Sequence, residues 1–133
     1  MKDFFQQLID RAREARLKAF TPYSKFGVGS AVLTENGTIF TGCNIENASL
    51  GMTICAERVA IYKAISEGFK NIKAIAIIGD TEDPCPPCGA CRQVMMEFAP
   101  NMDVIMSNLQ NKVKIMKAKE LLPDAFNGST FRQ

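Results

Sequence analysis

No histidine occurs among the 133 residues. That absence excludes a Ser-His-Asp triad, a Cys-His pair and any metal site built on imidazole. Proton transfer near neutral pH is left to side chains whose pKa the fold must adjust. No apolar run approaches the roughly 20 residues needed to cross a bilayer, and the opening Met-Lys-Asp-Phe-Phe-Gln-Gln has no signal-peptide pattern. A cytoplasmic protein with no membrane partner is the expectation. Charge of one sign is also scarce, with a formal net charge of +2. Basic residues gather only at Lys112, Lys114, Lys117 and Lys119, which reads as a solvated edge or helix face and not as a nucleic-acid footprint. Internal repeats, low-complexity tracts and linkers are missing. What remains is an ordinary composition, 47% hydrophobic and 23% charged, suited to one domain spanning 1–133. A chain of this size buries a real core and still gains from oligomerisation.

Five cysteines is an odd number, so they cannot all pair within the chain. Closely spaced cysteines in a reducing compartment point to metal binding or catalysis. Cys88 and Cys91 have the two-residue gap common to zinc ligands. At a helix start, positions i and i+3 share a side, so both sulfurs reach one ion. Cys55 must come from a second helix, with Thr53 as its expected N-cap. Positions i and i+2 on a helix do not face each other. Cys55 and Glu57 therefore share a centre only if it lies off the helix end, which implies two helix N-termini aimed at one metal.

Three thiolates leave the fourth zinc position open for water or substrate, the mark of a catalytic site. Glu57 is then placed to move protons. Three thiolates also leave the ion with a net charge of −1, and helix N-termini offset part of it. Arg58 and Arg92 each directly follow a site residue and are candidates to donate to the thiolates and withdraw charge from them. Cys85 offers an alternative: Cys85-Pro86-Pro87-Cys88 repeats the gap, and a closed four-cysteine structural site would leave Glu57 idle. Cys43, at a strand end, reads as a small core residue.

Hydrophobic periodicity predicts a helix over 2–20, stopped by Thr21-Pro22. A strand over 26–33 follows, in which Gly27 and Gly29 suggest close approach of another backbone or a ligand. Asn36-Gly37 makes a hairpin turn into a strand over 38–43. A loop over 44–53 leads to a helix over 54–67, apolar on nearly every side and expected to be largely buried, with Gly68 as its stop. Then come a strand over 72–78 covered on both faces, a proline-containing loop, a helix over 88–98, strands over 103–107 and 112–116, and a short helix or turn at Leu121-Leu122. The order α-β-β-α-β-α-β-β implies a mixed five-stranded sheet with helices on its faces.

Four segments, Thr21-Pro22-Tyr23-Ser24-Lys25-Phe26-Gly27-Val28-Gly29, Gly42-Cys43-Asn44-Ile45-Glu46-Asn47-Ala48, Thr53-Ile54-Cys55-Ala56-Glu57-Arg58 and Pro87-Cys88-Gly89-Ala90-Cys91-Arg92-Gln93, carry a family resemblance. In this order they resemble the cytidine deaminase family in its small homotetrameric, all-cysteine zinc form, from about Phe4 onward. The resemblance implies a three-layer α/β/α fold around a five-stranded mixed sheet. It implies a homotetramer, one zinc per chain, and hydrolysis of cytidine and 2′-deoxycytidine to the uridines and ammonia, as in pyrimidine salvage. It assigns Cys55, Cys88 and Cys91 to zinc and Glu57 to proton transfer. Asn44 and Glu46 match the positions that bind the sugar 3′-hydroxyl, Phe26 the aromatic that packs on the base, and Ala56 a residue whose backbone meets the pyrimidine. The partner is then a small nucleoside and not nucleic acid. A deaminase of a cytosine nucleoside antibiotic and a non-catalytic zinc-stabilised binding module are the alternatives. Phe131, alone in a polar tail, is a candidate to cover a neighbouring subunit's pocket.

Overall fold

The computed structural model describes residues 2–131. The first helix, α1 (Asp3–Arg16), buries Phe5, Leu8, Ile9, Ala12 and Ala15, the stripe expected of an amphipathic helix. It ends four residues before the predicted limit. Leu17, Lys18 and Ala19 close tighter bonds to the carbonyls of Glu14, Ala15 and Arg16, and Phe20 pairs in extended form with Ile45. That tertiary bridge overrides the helical periodicity of 17–20.

Strand β1 (Val28–Thr34) is buried throughout, and β2 (Ile39–Cys43) returns beside it. In the turn between them Gly37 alone has a positive φ, +92°; the other described residue of the predicted pair, Asn36, does not. The second helix, α2 (Ala56–Ser66), leads to β3 (Ile72–Gly79), and α3 (Gly89–Phe98) to β4 (Asp103–Asn108) and β5 (Val113–Lys117). A short α4 (Ala118–Leu121) follows, at the expected place. Gly68, at φ +93°, stops α2 as anticipated.

The sheet order is β2-β1-β3-β4-β5. Only β3 and β4 run parallel, joined by α3; the other neighbouring pairs are antiparallel. On one face Ile75, Ile77 and Val104 pack with α2, α3 and α4; on the other, Ala31, Ala74, Ala76 and Ile78 pack with α1. This is the three-layer α/β arrangement expected from the sequence, with β3 buried on both faces apart from Lys73.

Two glycines set how closely the helices approach. A Cβ on Gly29 would lie 1.9 Å from the Ala12 carbonyl of α1, as the strand glycines suggested. One on Gly42 would lie 2.5 Å from the Ala56 carbonyl and 2.7 Å from the Ala60 nitrogen of α2. The bare backbone of β2 thus lets the first turn of α2 rest directly on the sheet. α2 is less enclosed than predicted: Ala56, Glu57, Ala60, Ile61 and Ala64 are buried, but Tyr62 is 44% exposed.

Candidate active site

Three sulfurs converge where α2 and α3 begin. Cys55 is the N-cap residue of α2 and Cys88 that of α3; Cys91 lies in the first turn of α3. Thr53 was expected to cap α2, but its hydroxyl instead accepts the Asn47 N–H. The shift has a geometric consequence. An N-cap residue is extended, so its side chain projects past the helix end, and this lets Cys55 share a centre with Glu57 two positions on. The Sγ atoms of Cys55 and Cys88 are 3.6 Å apart and those of Cys88 and Cys91 3.5 Å apart, with all three within 4.8 Å of one another.

Protons are unevenly shared in this cluster. A hydrogen bond from Cys91, with help from Arg58, draws Cys55 down to about 5, while Cys91 is held well above the usual thiol range by Cys55 and by burial. Crowded thiols, one of them drawn towards the thiolate form, are a donor set that zinc takes up. Two helix N-termini face it. Arg58 donates through Nη2 to Cys55 Sγ at 3.4 Å, as predicted; its Nε–H is buried with no partner among the described residues.

Arg92 corrects the prediction. Its Nε donates to the Pro87 carbonyl and its Nη1 to the Leu121 carbonyl, both at 2.9 Å, so its hydrogen bonds go to backbone and not to sulfur. Backbone acceptors leave no mark in the sequence. Cys85 is buried but lies outside the sulfur cluster, so the closed four-cysteine arrangement does not form. Cys43 is half-buried at the end of β2.

Glu57, in the first turn of α2, is 4% exposed. Burial pushes its carboxyl up to about 7. It lines a cavity of about 190 Å³ with Phe26, Val28, Asn44, Cys55, Ala56, Cys85, Pro86 and Cys88. Phe26 and Ala56 therefore line the same cavity as Cys55, Cys88 and Glu57. Val28, Pro86 and Cys85 were missed as wall residues. The one available signal was Gly79, where a Cβ would meet Cys85 Sγ at 3.1 Å and Phe26 Cζ at 3.2 Å. Clefts of about 320 and 530 Å³ lie elsewhere; the first has the single thiol of Cys43 with Glu14 and the second no thiol, so neither brings several thiols to a carboxylate.

Asn44 and Glu46 are engaged inside the chain. Asn44 accepts the Val28 N–H and donates to the Phe26 carbonyl, both at 2.8 Å. Glu46 accepts the N–H groups of Tyr23 and Ser24 at 3.0 and 3.1 Å, and the Ser24 hydroxyl. That hydroxyl, ahead of the backbone donors, holds the Glu46 carboxyl below its ordinary range. Both side chains thus shape the loop that presents Phe26. An amide has two donors and two acceptor sites and a carboxylate about four, so each retains capacity towards a ligand.

Residues 2–107 match the family model described as the cytidine and deoxycytidylate deaminase zinc-binding region. The chain belongs to the cytidine deaminase family. It is 50% identical over 123 residues to the cytidine deaminase of Sporosarcina psychrophila, covering 92% of this chain and 90% of that one. It is 52% identical over 122 residues to that of Halalkalibacterium halodurans, with 91% and 92% covered. The crystal structure of cytidine deaminase from Burkholderia pseudomallei superposes with a TM-score of 0.90 at 47% identity, over 95% of this chain and all of that one. Membership of a zinc-binding deaminase family and the three-sulfur cluster agree on zinc as the cofactor. No described helix is long and apolar enough to cross a membrane.

Proposed function

We propose that this chain hydrolytically deaminates cytidine and 2′-deoxycytidine to uridine and 2′-deoxyuridine, releasing ammonia. The observation that carries the reading is a buried carboxyl, Glu57, in one small cavity walled by an aromatic ring and by Cys55 and Cys88 of the three-thiol cluster. Cys55, Cys88 and Cys91 would hold zinc, which supplies an acidified water as nucleophile. Glu57 takes a proton from that water and delivers it to N3 of the cytosine ring, leaving C4 electrophilic. After oxygen adds at C4, Glu57 carries the remaining hydroxyl proton to the 4-amino group, and the C4–N bond breaks as C4=O forms and ammonia departs. A carboxyl held at about 7 both accepts and returns a proton near neutral pH. Arg58 offsets thiolate charge. Phe26, 38% exposed at the cavity mouth, packs on the base, and the Ala56 backbone meets its edge.

A cavity of about 190 Å³ is below the ~300–1,000 Å³ of usual ligand pockets, which suits a base with the sugar lying outward beside Asn44 and Glu46. Leu17, Phe20, Tyr23, Leu50, Met52 and Tyr62 are exposed apolar side chains, the surface a homotetramer would cover. The free thiols suit a reducing cytoplasm.

The test is ultraviolet absorbance of cytidine, 2′-deoxycytidine, free cytosine and a cytosine nucleoside antibiotic, each incubated with zinc-loaded protein. Turnover of the first two is the expected result. Turnover of the antibiotic alone would replace the substrate assignment, and no turnover of any would leave a zinc-stabilised binding module.

A further inference from the structure

Cys88 is the exposed member of the sulfur cluster, so little side-chain packing holds its thiol in place. Its position depends on the backbone around it. Upstream, the Cys85 N–H donates to the Ser107 carbonyl at 3.1 Å. Pro86 and Pro87 then follow, and proline has no N–H to donate. Through these two residues only carbonyl groups are available to tie the backbone down. The Pro87 carbonyl is taken by Arg92 Nε at 2.9 Å, and the Cys88 carbonyl by the Arg92 backbone N–H at 3.0 Å. The bond to the Cys88 carbonyl is the ordinary helical one of residue 92, so what the arginine side chain itself adds is the hold on the Pro87 carbonyl, just before the Cys88 Cα. Its remaining arm reaches the Leu121 carbonyl at 2.9 Å, at the C-terminal end of α4, where helix carbonyls lack partners of their own. One guanidinium joins the metal loop to the C-terminal segment.

We propose that Arg92 is a positioning residue for Cys88, fixing through the Pro87 carbonyl the backbone from which the exposed thiolate reaches the metal, and bracing that backbone against α4. The proposal rests on the zinc reading of the site. It gives Arg92 a role apart from Arg58, which touches sulfur itself. Lysine supplies one ammonium and cannot span two carbonyls with a rigid planar fork, so it restores only part of the brace.

The test compares zinc-loaded wild type with Arg92→Ala, Arg92→Lys and Arg92→Gln. Zinc content is measured first, then the rate of zinc release to a chromogenic chelator, then the thiolate-to-cobalt charge-transfer absorption after cobalt substitution. Groups that hold a metal ligand in place typically change metal affinity or activity by about 10–100-fold when removed. Release from Arg92→Ala is expected to be faster by about that factor, with Arg92→Lys between it and wild type, and with a shifted cobalt band. If Arg92→Ala does not fold, Arg92→Lys and Arg92→Gln carry the comparison. Asp103→Asn is the control for general loosening. Asp103 pairs with Ala74 at the end of the β3–β4 ladder opposite Gly79, and its variant is expected to release zinc at the wild-type rate. Wild-type release and an unshifted cobalt band in the Arg92 variants would overturn the proposal, as would equal acceleration by Asp103→Asn. A wild-type chain that binds no zinc would overturn the site reading first, and this proposal with it.

Discussion

Glu57→Gln exchanges an ionisable carboxyl for a neutral amide of nearly the same size at a position 4% exposed. Two effects of opposite sign follow. The amide cannot accept and return a proton, and general acid–base groups contribute about 10²–10⁴ in rate; a residue making several transfers sits at or beyond the top of that range. The second effect concerns stability. Burial raises the folded-state carboxyl from its ordinary 4.5 to about 7. Between these values the folded state binds more protons than the unfolded chain, so wild-type stability falls as pH rises through the window and stays lowered above it. The gap between the two values corresponds to roughly 3 kcal/mol. Glutamine does not titrate. Metal-free Glu57→Gln should therefore exceed metal-free wild type in stability by up to roughly 3 kcal/mol near pH 8, with the excess shrinking towards about pH 4.5. Urea unfolding of both proteins in reducing, chelator-containing buffer across that range measures it, alongside turnover of cytidine by the zinc-loaded forms. A stability difference that does not vary with pH would refute the burial argument. Near-native turnover would show that another group moves the proton.

Asn44→Ala and Glu46→Ala are expected to weaken turnover of cytidine more than that of free cytosine; equal losses would mean that the two act only by shaping the loop around Phe26. Asn44→Ala also strands the buried Val28 N–H, at a cost of ~1–3 kcal/mol read by urea unfolding. At Asp103 burial acts to raise the carboxyl, but the ion pairs with Lys117 at 2.8 Å and Lys2 at 3.1 Å outweigh it and the net direction is down. A lowered carboxyl stabilises above its unfolded value of 3.8 and loses that contribution as pH falls through the folded value. Asp103→Asn should thus cost about 1 kcal/mol at neutral pH and little in strong acid. Light scattering after size-exclusion chromatography should give a tetramer. Deletion of 130–133 should lower activity if Phe131 covers a neighbouring site, and full activity would remove it from that role.

Site chemistry was legible where it constrains residue type. Three thiolates at one ion and a carboxylate beside it require Cys55, Cys88, Cys91 and Glu57 wherever the helices begin, so the cluster survived the misplaced cap at Thr53. Arg58 was legible for the same reason, since it acts on a side chain. Arg92 was not, because its partners are the carbonyls of Pro87 and Leu121, and any residue supplies a carbonyl. The five strands followed from apolar runs and turn residues. The end of α1 did not, because the Phe20–Ile45 bridge is a contact between distant segments that local periodicity cannot encode. Phe131 read as isolated along the chain, yet its ring meets that of Phe126 edge-on at 5.7 Å and remains 66% exposed.

Both borders of the sheet are attended by lysine. On β2, Lys63 Nζ donates to the outward Thr41 carbonyl at 2.5 Å, occupying an acceptor that another strand would need. On β5, Lys112 precedes the strand, Lys114 lies between the partly exposed Val113 and Ile115, and Lys117 ends it. Charged, long side chains at open borders oppose strand addition. Copies of this chain are therefore steered away from growing one continuous sheet, a route that has no natural stopping point. Contacts through helices and loops remain, the kind from which an assembly of closed symmetry is built.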